Sequence, residues 1–218
     1  MFNLSRLLFL VFVLIPSFAF AWEEYKVDVT QESFAKSKEP DHFLPNANAP
    51  NYYYLAYFAE APSFSKKWSL IVKLDRDNTA ASIYVLDGFP KYKSDADLTT
   101  AIENSPENKK ASLNLELAEV IYSMWVNSLF ETRHSKYSSG GFDGTGYIFS
   151  TYIRGVGWLG GSAWSPDIDA PPKWMVEVAH LLRRYVENKS QESRSDVRNR
   201  IMEIQAKLSS YLKKNGAL

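Results

Sequence analysis

Two hydrophobic periods divide the chain. Residues 51–58, NYYYLAYF, are apolar at almost every position, the pattern of a strand buried on both faces. Residues 67–74 alternate instead, with Trp68, Leu70, Val72 and Leu74 on one side and Ser69 and Lys73 on the other. Residues 80–86 alternate again, placing Ile83 and Val85 together. The polar cluster Asp75-Arg76-Asp77-Asn78 lies between these two runs, so they are expected to form an antiparallel hairpin. Asp87-Gly88 is expected to close its second strand. A second hairpin is expected further on. Tyr147, Phe149, Thr151 and Ile153 interleave with Ile148, Ser150, Tyr152 and Arg154, Gly155-Val156-Gly157 turns the chain, and residues 158–164 return.

The period becomes helical in three places. Leu113, Leu117, Val120, Ile121 and Met124 mark a helix that ends near Leu129 or Phe130, with Ser112 as its N-cap. Glu116 and Glu119 lie near its start, where the helix dipole favours acids. Met175, Val178, Leu182 and Tyr185 mark a second helix, with Asp169 as its cap and Pro171 and Pro172 in its opening turn. Val197, Ile201, Ile204, Leu208 and Tyr211 mark a third, which begins near Ser193 or Ser195. Residues 94–111 read as a polar loop with one short helix near 98–102, and residues 131–137 as a further strand. Strands grouped together, then helices grouped together, give an α+β fold: an antiparallel sheet packed against about three helices in a single layered domain.

The first 21 residues are expected to lie outside that domain. Arg6 supplies a positive start, residues 7–15 form an apolar run, Pro16 interrupts it, and Ala19-Phe20-Ala21 fits the small-x-small cleavage pattern. This is the layout of a secretory signal peptide, and the run is short for a membrane-spanning helix. The mature domain then covers residues 22–218, with no membrane span after cleavage. The chain has no cysteine, so disulfides cannot staple it, unlike many small secreted folds. A bacterial periplasm or exterior is the expected location. Charge adds little. The 25 basic and 25 acidic residues balance, and no basic field for nucleic acid is implied. An excess of Lys and Arg between 183 and 214 reads as the solvated face of the last helix.

Little in the sequence points to chemistry. Residues 155–160, GVGWLG, match G-x-G-x-x-G in letters, but Ser162, Trp164 and Pro166 follow where a nucleotide-binding motif must open a helix. The three histidines, His42, His134 and His180, are far apart, and no spacing suggests a metal site. No cofactor is expected. His180 reads as a packed or surface residue. A serine nucleophile needs a positioned base, and only Ser162 with His134 offers that combination. The tyrosines at 52, 53, 54 and 57, with Trp158 and Trp164, would make either a binding face or, as is commoner, the interior of a sheet.

Three short stretches carry a resemblance. They are WVNSLFETRH from Trp125, FDGTGYIFS from Phe142 and GGSAWSP from Gly160. Together they resemble a group of small exported bacterial proteins with the pattern W…L..TR, DGT.Y.F and G..WSP, over roughly residues 117–185. No activity attaches to that group. The resemblance implies Arg133, Asp143, Thr145, Tyr147, Trp164 and Pro166 as residues worth testing, and His134 beside Arg133 is a further candidate binding residue. Asp143-Gly144 reads as a turn, across which Arg133 is expected to pair with Asp143 and pin the loop. The expected function is therefore a non-enzymatic exported protein that binds another protein, in the manner of an inhibitor or immunity protein. The alternative is a cofactor-free hydrolase centred on His134.

Overall fold

The computed structural model describes residues 53–74, 79–88, 100, 102, 104–106, 109–130, 132, 143–188 and 190–215. Six strands form one antiparallel sheet: β1 (Tyr53–Pro62), β2 (Trp68–Leu74), β3 (Ala81–Asp87), β4 (Lys110–Leu113), β5 (Thr145–Ile153) and β6 (Gly157–Trp164). Their spatial order is β4-β3-β2-β1-β5-β6. Among the described residues, three long helices, α1 (Leu115–Phe130), α2 (Pro171–Glu187) and α3 (Gln191–Lys214), pack with this sheet in an α+β arrangement.

Both expected hairpins form. β2 and β3 pair with Leu70 opposite Val85 and Val72 opposite Ile83, and β5 and β6 pair with Tyr152 opposite Trp158 and Gly146 opposite Trp164. The doubly apolar run becomes β1, an interior strand between β2 and β5. Its pairing with β2 shifts register between Tyr54 and Ala56. This bulge turns both Leu55 and Ala56 toward the helices, followed by Phe58, while Tyr54 and Tyr57 share the other face. An unbroken strand would have alternated strictly.

Leu55, the extra residue, has no partner in either ladder, and the Thr151 hydroxyl donates to its carbonyl at 2.7 Å. Two residues on, in the paired part of the strand, Trp125 Nε1 donates to the Tyr57 carbonyl at 3.0 Å. Both bonds are buried, where an unmet polar group is costly.

The main core lies between the sheet and the helices. It unites Phe58, Leu70, Val72, Ile83 and Phe149 with Ile121, Met124 and Trp125 of α1, Trp174, Met175, Val178 and Leu182 of α2, and Val197, Ile201, Ile204 and Leu208 of α3. The helical stripes expected from the sequence thus face inward. The opposite face of the sheet is also buried at Tyr54, Tyr57, Ala59 and Ile71, with Ile102 packed on it. Among the described residues, no helix is long and apolar enough to cross a membrane.

Two helix starts differ from expectation. Ser112 does not cap α1: it lies in β4 opposite Ser82, and Asn114 accepts a hydrogen bond from the Leu117 amide at 2.9 Å instead. Leu113 closes the strand rather than opening the helix stripe. Asp169 does not cap α2 either. The N-cap position is Ala170, without a side-chain bond, and Asp169 instead accepts from Trp174 Nε1 at 2.6 Å and from Lys207 Nζ at 2.6 and 2.7 Å. α3 begins slightly early, with Ser190 as its cap accepting from the Ser193 amide. The strand expected at 131–137 and the turn at 75–78 lie outside the described residues, apart from Thr132.

Candidate functional site

The C-terminal end of β1 meets the N-termini of β2 and β5 and the C-terminus of β6. Two of the three stretches that carry the resemblance converge here. Gly144, from the DGT stretch, sits directly against Trp164 and Ser165 of the WSP stretch. A Cβ on Gly144 would lie 2.7 Å from Ser165 Oγ and 2.9 Å from the Trp164 ring, and its φ of +150° suits glycine. Ser165 Oγ accepts from the Thr145 amide at 2.9 Å, and the Ser165 amide donates back to the Thr145 carbonyl at 2.9 Å. This stitch holds Ser165 at a positive φ of 39°, an unusual state for a residue with a Cβ. The Gly144 carbonyl in turn accepts both the Ser63 amide at 3.0 Å and the Ser63 hydroxyl at 2.8 Å. Three connections are thereby fixed to one another: 63–67, 143–144 and 165–170.

At this end of β1, β5 and β6 lies a pocket of about 150 Å³, lined by Ala61, Gly146, Tyr147, Ile148, Ser162, Ala163 and Trp164. Gly146 faces Trp164 across the ladder, and the indole packs over it, so that a Cβ on Gly146 would lie 3.6 Å from the ring. Phe64, in the 63–67 connection, is 87% exposed, and Ile168, in the 165–170 connection, is 45% exposed. Lys66 and Lys67 lie in the Phe64 connection, and Asp143 and Asp167 in the adjoining ones; all four are exposed.

Under the helices, the same end of the sheet carries a polar pair. Glu60 Oε2 accepts from Trp68 Nε1 at 2.9 Å and lies 3.0 Å from His180 Nε2. The His180 ring stands edge-on to Trp68 at 5.5 Å, and the Arg183 guanidinium lies 4.7 Å over the Trp68 ring. Tyr147 packs against Phe58. Burial first, and then the nearby Glu60 carboxylate, push the Tyr147 phenol up from its ordinary value, while a hydrogen bond with Thr145 pulls the other way. Glu60 therefore fixes one ring nitrogen of His180 and ties α2 to β1.

Of the residues singled out from the sequence, the structure brings together Thr145, Tyr147 and Trp164, with Asp143 at an exposed turn beside them and Pro166 half-buried just beyond. Thr145 and Tyr147 share the helix-facing side of β5, and Trp164 lies on the opposite side of the sheet. Arg133 and His134 lie outside the described residues, and with them the Arg133–Asp143 pair and the His134 centre. Ser162 lines the pocket from mid-strand. Tyr54 and Tyr57 belong to the buried face, with Trp158 partly buried beside them, as interior sheet residues. Among the described residues, no group of three or more metal-ligating side chains occurs. His180 is the packed, part-exposed residue the sequence suggested, whereas Glu60 and Phe64 were not singled out. The signal for Glu60 was present: one carboxylate inside an otherwise apolar strand needs a partner.

No known family matches. Comparison with family models, curated proteins and solved structures returns no match for this chain. The resemblance to small exported proteins therefore assigns no family, and the reading of function rests on the sheet end itself.

Proposed function

We propose that the chain is an exported, non-enzymatic protein that binds another protein through the Phe64–Trp164 end of its sheet. The observation that carries this reading is Phe64, 87% exposed on the connection whose Ser63 is fastened to Gly144, three residues beyond Ala61 of the pocket lining. Exposed large aromatics beside a pocket are the usual anchors of protein interfaces, and a ring of charged residues suits an interface rim. A cavity of about 150 Å³ accommodates one aliphatic side chain of a partner. Export rests on the layout of the first 21 residues.

The test compares the wild-type chain with Phe64→Ala and Trp164→Ala as bait in envelope extracts. A partner captured by the wild type and reduced at least tenfold by Phe64→Ala, with the melting temperature of that variant unchanged, is the expected result. Capture that is insensitive to both substitutions, or no specific capture, would rule out this surface as the binding site.

A further inference from the structure

The two edges of the sheet are built differently. β4 is four residues long and includes Lys110, and the Tyr185 hydroxyl lies 3.4 Å from its Ser112 carbonyl. A short, charged, covered edge is the usual protection against pairing with another chain. β6, the other edge among the described strands, has eight residues, Gly157–Trp164, with no charge and no proline. Gly160 and Gly161 occupy the middle of β6, so no bulky side chain stands there against a partner strand.

We infer that β6 pairs antiparallel with β6 of a second copy of this chain, about a two-fold axis midway between the two Gly161 residues, so that the six strands of each copy form one continuous sheet. In this register Gly160 of one copy lies opposite Ser162 of the other, Leu159 opposite Ala163, and Trp158 opposite Trp164. Every pair joins residues on the same face, as a continuous sheet requires. Both tryptophans thereby gain an aromatic cross-strand neighbour, and the small residues fall together at the axis. The charges at the two ends of the edge are complementary under the same operation. Arg154 is exposed in the turn that leads into β6, and Asp167 is exposed just beyond its far end. The two-fold places the basic end of one edge against the acidic end of the other. α1, which packs over β1, β5 and β6, lies on the same side in both copies, so its flank extends the contact beyond the ladder. The pairing shares Ser162, Ala163 and Trp164 with the pocket but leaves Phe64 outside the ladder, so Phe64→Ala probes the other surface without touching this one.

The absence of cysteine makes the register directly testable. Gly160→Cys and Ser162→Cys are prepared as separate variants of the full chain and mildly oxidised alone and mixed. The spacing of directly opposed strand residues admits a disulfide. The expected result is a covalent dimer from the mixture, at several times the yield of either variant alone, together with a dimeric mass for the unmodified chain in sedimentation across a dilution series. Ser162→Lys is expected to shift that chain to monomer while its far-ultraviolet circular dichroism stays unchanged. A monomeric wild type at all concentrations overturns the inference and leaves the edge to a strand from another protein. A dimer that does not crosslink between 160 and 162 overturns it in favour of a different interface.

Discussion

The bulge in β1 shows how much one inserted residue asks of its surroundings. Leu55 adds an extra position opposite β2, and its carbonyl leaves the ladder for a buried environment. Thr151 is fully buried and donates to that carbonyl at 2.7 Å. Thr151→Val keeps the volume and removes the donor. It is expected to cost about 1–3 kcal/mol, the penalty of stranding a buried acceptor, seen as a lower midpoint in urea with an unchanged slope. The alternation of residues 147–153 already told that Thr151 faces the core. It could not tell what the hydroxyl bonds, because the partner lies in a run apolar at nearly every position. Such a run hides its own register: shifting it by one residue leaves the hydrophobic pattern intact. Gly144 is similar. The sequence marks it as a turn glycine, whereas its tightest constraint comes from Trp164 and Ser165, 20 residues further on.

At the scale of elements, the join between α2 and α3 is the clearest case of charge placed for packing. Asp169 receives the Trp174 indole and the Lys207 ammonium. Lys207 also lies 4.5 Å from the centre of the Trp174 ring, and Tyr211 meets that ring edge-on at 5.5 Å. The Lys207 and Trp174 hydrogen bonds hold the Asp169 carboxyl below its ordinary value of 3.8. A depressed carboxylate stabilises the fold above its unfolded pKa, and that contribution is lost as pH falls through the lower folded value. Asp169→Asn is therefore expected to melt below the wild type at neutral pH, with the difference shrinking below about pH 4. Thermal scans between acid and neutral pH would show this convergence, and a gap independent of pH would contradict it. From the sequence, Asp169 looked like a helix cap, a fair reading of an acid ahead of two prolines. The partner that takes it away, Lys207, sits on another helix, and no local pattern reports that. The start of α1 failed for the opposite reason. β4 runs into the helix through a single residue, Asn114, so Leu113 fits the helical stripe as well as it fits the strand.

The whole molecule reads as one unit. Buried tryptophans from β2, α1 and α2 join the same core as the stripe of α3, so no element can detach without exposing apolar surface shared with the rest. Unfolding is expected to be a single cooperative transition, with tryptophan fluorescence and far-ultraviolet circular dichroism tracing the same curve; two separated midpoints would argue for independent parts. Element types and both long hairpins were legible in the sequence, because strong periodicity survives any tertiary context. The strand order was not legible, and β4 went unseen, four residues at the end of a polar stretch. That order has a kinetic consequence. Four of the five ladders join strands consecutive in the chain, but β1 to β5 closes a far larger loop, and the Thr151 to Leu55 bond at that seam spans 96 residues. Loop-closure entropy must be met there before any contact rewards it. The β1–β5 seam is thus the natural rate-determining step of folding, where the hairpin-built half of the sheet waits for the rest of the chain to arrive.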